Sequence, residues 1–180
     1  MTTPGRDADP RQRVLADAAR RAARYLATLD ERPVAPPASA VASLAPLVGA
    51  LPEASADPLE VLRLLDEYAT PATVASAGPR YFGFVTGGTL PAALGAAVFA
   101  AAWDQNAALE VMSPAAAALE EAAARWTLSL LGLPAGSAVG LTTGATMANL
   151  TALAAARQAL LTRAGWNVAE EGLFRATRST

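Results

Sequence analysis

Apolar residues recur at helical spacing in the first part of the chain. Val14, Ala18, Ala22, Tyr25, Leu26 and Leu29 form one stripe set among arginines, which predicts an amphipathic helix. Asp9-Pro10 supplies its start, a capping side chain followed by proline at the first helical position. ERPVAPPAS (31–39) reads as an extended proline-rich connector. A short helix is expected over Val41 to Val48. Asp57-Pro58 repeats the start signal, and Leu59, Leu62 and Leu65 mark a helix that ends before Thr70-Pro71.

The stretch GPRYFGFVTGGTLP (78–91) has too many glycines for a regular element. Pro91 opens an alanine-rich helix to about Trp103, and WDQNAALEVM follows as an irregular connection. Ser113-Pro114 is the clearest cap in the chain. Its helix runs through Leu119, Ala123, Trp126 and Leu130 to a stop at Gly132 and Pro134. Val139 to Thr142 reads as a short strand or a turn. A last helix is expected over about Met147 to Ala164, with Gly165 at its end, and the tail from Trp166 is polar. The pattern is mostly α, with one weak strand.

Composition narrows the classes. The 180 residues are 53% hydrophobic but only 6% aromatic, so the apolar mass is mainly Ala, Leu and Val, which favours helix. The length fits one domain, or one domain with an arm. The early helices, separated by proline-rich links, have little core of their own and need a surface to cover. That surface is either their own domain or a partner subunit. The net charge is −2 and no basic stripe is present, so no nucleic-acid partner is expected. With no cysteine, a disulfide, a thiolate metal site or a redox pair is impossible. No other metal site is expected.

Two further absences bear on chemistry. The chain has no histidine, and all 14 basic residues are arginine. Histidine and lysine supply most general bases and the amine nucleophiles. The N-terminal MTTPGRDADPRQR carries acids and no apolar centre, so it is not read as a signal peptide. Tyr81 to Trp103 is uncharged and long enough to be weighed as a membrane span. Its Thr-Gly-Gly-Thr, Pro91 and alanine content favour a buried segment of a soluble, cytoplasmic protein, with no membrane partner.

Residues 140–157, GLTTGATMANLTALAAAR, place two glycines and three hydroxyls at the mouth of a helix. The first N–H groups of a helix lack intrahelical partners, and the dipole is positive there. Gly144 permits close approach of a ligand, while Thr143 and Thr146 add hydroxyls. A phosphate can be held this way without lysine. The nucleotide P-loop is excluded, because it requires that lysine. Two readings remain, a threonine cap beside a glycine and an anion seat. On these residues alone the cap is favoured.

The ordered trio RYFGFVTGGTLP, SPAAAALEE and LTTGATMANLTALAAAR resembles the group II pyridoxal-phosphate-dependent decarboxylases. These include the aromatic-L-amino-acid, glutamate and diaminobutyrate decarboxylases. The resemblance runs over residues 55 to 175, and three motifs in order are more specific than any one of them. It favours the anion seat, with Gly144, Ala145 and Thr146 holding the phosphate of pyridoxal 5'-phosphate. Thr146 stands where the family has serine and keeps the hydroxyl. Pro79 to Phe82 matches the family's His-Pro-x-Phe-Phe segment, with Gly78 in place of the histidine. The resemblance puts Thr86 near the substrate and makes Phe84 a pocket-lining residue. It also places Asn106 to Val111 near a neighbouring subunit's pocket.

The implied fold is the N-terminal portion of a fold type I, α/β transferase large domain. Residues 1–75 would form a helical dimerisation arm and 76–180 the start of the cofactor-binding domain. The implied function is decarboxylation of an amino acid by a homodimer. The family's catalytic lysine, its ring-stacking histidine and its ring-nitrogen aspartate lie further along. No catalytic residue is therefore expected within these 180 residues, which are expected to be an inactive fragment. The alternatives are a non-catalytic dimerisation or binding module of the same descent, and an aldehyde-lyase relative of the sphingosine-phosphate-lyase type. VTGGTLP fits the decarboxylases better than the lyases.

Overall fold

Three acid-proline or serine-proline pairs open helices by the same local chemistry. The Asp9 carboxylate accepts from Arg11 N–H at 2.9 Å, and that of Asp57 from Leu59 N–H at 3.0 Å. The Ser113 hydroxyl accepts from Ala116 N–H at 3.3 Å. Each cap satisfies one of the orphan donors of a helix start, and proline follows where its missing N–H costs nothing. A computed structural model describes residues 9–174. The reading of the extreme N-terminus and the end of the polar tail fall on 1–8 and 175–180, outside the described residues.

The chain divides into two compact units, Met1–Ala101 and Ala102–Thr180. In the first, α1 (Pro10–Ala27) packs on α3 (Pro58–Leu64). Between them in sequence lie α2 (Ala38–Ala42) and a 3-10 turn at Ala45–Leu47, where one helix over Val41 to Val48 was expected. Pro46 breaks the ladder there, because it has no N–H to donate. α3 ends at Leu64, ahead of Thr70-Pro71 as expected, and the chain keeps coiling beyond it. It widens into a π turn over Leu65–Ala69 and tightens into a 3-10 turn over Thr70–Ala72.

Arg32 joins distant parts of this unit. Its guanidinium donates to the Thr70 carbonyl at 2.6 Å and lies 4.7 Å over the Tyr25 ring. Its own carbonyl accepts from Arg80 at 2.6 Å. Ala75 is buried and donates to the Val34 carbonyl at 3.0 Å. Gly78 fits into this crossing closely. A Cβ there would meet the carbonyl oxygens of Ala75 at 3.2 Å and Leu29 at 3.3 Å. A side chain at this position would press on both carbonyls.

α4 (Pro91–Trp103) is apolar around its whole circumference and exposed along its length. Tyr81 to Trp103 was expected to be a buried segment, and no residue of it is buried: Tyr81 and Gly83 are partly exposed and the rest are exposed. A helix without a polar face gains from cover on every side. No helix among the described residues is long and apolar enough to cross a membrane.

The second unit carries α5 (Pro114–Leu130), α6 (Ala145–Arg163) and the short α7 (Val168–Glu171). Glycines stop the two long helices as their positions predict. Gly132 takes φ 63 while Leu133 N–H reaches back to Leu128 C=O at 3.0 Å. Gly165 takes φ 79 while Trp166 N–H reaches Leu161 C=O at 2.9 Å. Both are the six-to-one closure of a helix end. The strand or turn expected at Val139 to Thr142 is neither: these residues form an irregular lead into α6. A strand needs a partner for its ladder, and there is no strand among the described residues. The chain is mostly helical.

Candidate functional site

α6 begins at Ala145, two residues earlier than the hydrophobic pattern suggested. Gly144 is its N-cap, and no side chain caps it. Backbone bonding within the helix starts with Ala148 N–H to Gly144 C=O at 3.0 Å. The N–H groups of Ala145, Thr146 and Met147 therefore precede the ladder. No acidic residue occupies the first turn, so the positive end of the dipole is not neutralised from within. Thr142 does not act as a cap. Its hydroxyl donates to the Gly144 carbonyl at 3.2 Å, leaving the amide donors untouched.

The plain threonine cap is thus absent. Thr143, Gly144, Ala145 and Thr146 are all exposed, so the helix mouth faces open space rather than a packed core. Gly144 has φ 169 and ψ 173, an extended conformation open to any residue. Nothing lies within 4 Å of the place where a Cβ would sit. The fold itself has no need of glycine here.

Phe84 and Thr86 belong to the first unit and sit in one tight turn. Thr86 N–H donates to the Gly83 carbonyl at 3.2 Å. The two central residues, Phe84 and Val85, have φ 54 and φ 56. Positive φ at both centres is the mark of a type I′ turn, which strongly prefers Asn-Gly. Two left-handed residues that are not glycine cost about 2–4 kcal/mol together. One hydrogen bond returns about 0.5–1.5 kcal/mol. The strain is not offset locally, and the sequence carries no turn signal that would have revealed it.

Asn106 to Val111 is exposed and held by its own local bonds. The Asn106 side chain accepts from Ala108 N–H at 3.0 Å. The Leu109 carbonyl accepts from Met112 at 3.0 Å and from the buried Ser113 at 3.1 Å.

A charge network, which the hydrophobic pattern did not reveal, lies in the first unit. Arg21 and Arg24 each donate to the Asp66 carboxylate at 2.8 Å. Arg21 and Arg20 also hold the buried Asp17. The hydrogen bond from Arg21 lowers the Asp17 carboxyl below its ordinary range. Burial raises that of Asp66, but Arg24 and Arg21 outweigh it and the net direction is down. This network ties α1 to the π turn after α3. No group of three or more carboxylates among the described residues is arranged to hold a metal ion.

Comparison with protein-family models, with curated proteins and with solved structures returns no match. The functional reading therefore rests on the three sequence motifs and on the local geometry of these residues.

Proposed function

We propose that this chain supplies the cofactor-phosphate cup and the helical arm of a group II, pyridoxal-phosphate-dependent amino-acid decarboxylase. One observation carries the reading. The mouth of α6 presents uncapped amides at Ala145 and Thr146, beside a glycine that the fold does not otherwise require. These residues suit a phosphate. The amides of Ala145 and Thr146 would donate to its oxygens, Gly144 would let it approach, and the Thr146 hydroxyl would add a donor. When bound, the cofactor's ring system takes up the electron pair left as carbon dioxide departs. Phe84 and Thr86 would contact the amino-acid substrate, and the working enzyme would be a homodimer. With no lysine and no histidine, these 180 residues would not turn over alone. The covalent anchor and the proton-transferring groups would have to come from other residues.

The test uses pyridoxamine 5'-phosphate, which cannot condense with the chain's terminal amine, and dephosphorylated pyridoxamine as control. Titration of the ¹⁵N-labelled chain should shift the amides of Ala145 and Thr146 with the phosphorylated probe only. Each exposed helix-end interaction contributes about 0.3–1 kcal/mol, so binding should be weak, and Thr146→Val should weaken it further. Equal shifts with both probes, or no shift at these amides, would remove the phosphate-cup assignment.

A further inference from the structure

The strained turn at 83–86 has a fixed side and a free side. On the fixed side, Tyr81 N–H donates to the Gly78 carbonyl at 3.3 Å. The Tyr81 ring lies across Gly83, where an added Cβ would come within 3.1 Å of its hydroxyl. On the free side, Gly87 and Gly88 have open space around them, and no regular element begins before Pro91. Between the two sides stand Phe84 and Val85, left-handed at φ 54 and φ 56. Strain of this kind persists only where surrounding structure enforces it. Phe84 is 95% exposed and Val85 106%, so no packing enforces it at the tip.

A fixed entrance, a strained tip and a two-glycine pivot are the parts of a hinged strap. We propose that residues 84–90 form such a strap with two states. In one, Phe84 and Val85 are left-handed as described. In the other, both take negative φ and the segment extends. The exchange swings the Phe84 ring relative to the Tyr81 ring. In the decarboxylase reading it opens and closes one wall of the substrate pocket. The exchange itself does not depend on that reading.

The full chain, labelled with 4-fluorophenylalanine and free of any cofactor, tests this by ¹⁹F NMR. Phe84→Leu identifies the resonance. Val85→Gly favours the left-handed state, because glycine tolerates positive φ, and Val85→Asn does so while keeping a side chain. Each should raise the ratio of left-handed to extended populations about tenfold, the equivalent of relieving one strained residue. Val85→Pro fixes a negative φ and should drive the resonance to the opposite limit. Because the strain is not offset locally, the extended state is the major one, so the wild-type resonance should lie between these limits but nearer the proline variant, or appear as two unequal lines. A wild-type resonance that coincides with either limit overturns the two-state strap. So does one unmoved by both Gly and Asn. Because no cofactor is present, either result leaves the phosphate-cup reading to its own titration.

Discussion

At the scale of single residues, the helix starts separate into two kinds. Asp9, Asp57 and Ser113 cap with their side chains, whereas Gly144 has no side chain to cap with. Ser113→Ala should cost about 1 kcal/mol, because it strands the Ala116 amide beside a buried position. Chemical denaturation of the two chains, followed by helical circular dichroism, measures the difference. Gly144→Asp should act in two opposed ways. It supplies the missing cap and raises the stability of α6 by a few tenths of a kcal/mol. It also places a negative charge at the proposed phosphate seat and should abolish binding of pyridoxamine 5'-phosphate. A variant that is more stable and still binds would count against the seat. The three capped starts were legible because proline follows each cap. The start of α6 lies two residues before the expected Met147, because alanine and threonine give no sharp onset. The left-handed Phe84-Val85 pair was illegible, since bulky residues contradict the turn they form.

At the scale of elements, α1 was legible from its stripe, but what fastens it was not. A periodic pattern shows which face is apolar and says little about which carboxylate meets which arginine across forty residues of chain. Here Asp66 receives Arg21 and Arg24, and its side chain is only 23% exposed. Asp66→Asn should therefore loosen α1 by about 1 kcal/mol. Faster hydrogen exchange along Pro10–Ala27, with α5 and α6 unaffected, is the expected reading. The acid response has a definite sign. The Asp17 and Asp66 carboxyls are held below their ordinary value. Their contribution is present above the unfolded carboxylate pKa, near 3.8, and is lost as pH falls through the lower folded value. Protection of α1 should hold steady from neutral pH to about 4 and fall below it. In Asp66→Asn that acid loss should be smaller. An equal loss would show that this pairing does not fasten the helix.

At the scale of the whole molecule, the mostly helical content followed from alanine and leucine propensity, but the location of a core did not. Of the described residues only Ala75, Leu128, Asp17 and Ser113 are buried. Propensity decides whether a segment coils into a helix, whereas burial requires a second surface with matching apolar area. In α5, Trp126 is 71% exposed and Leu130 86%, and in α6 Leu153 is 70% exposed. Apolar area of this kind commonly marks an association surface. The isolated chain should therefore bind a hydrophobic dye, sediment as more than a monomer at micromolar concentration, and melt without a sharp transition. Each outcome has the same cause, since a helix whose apolar face is uncovered gains little by folding cooperatively with the rest. Trp126→Gln with Leu130→Gln should reduce the association while leaving helical content nearly unchanged, because neither side chain is buried within the chain. A monomer that melts cooperatively, unaffected by this pair of substitutions, would mean that these faces need no cover. It would favour a self-sufficient module over the arm and cup of a larger enzyme.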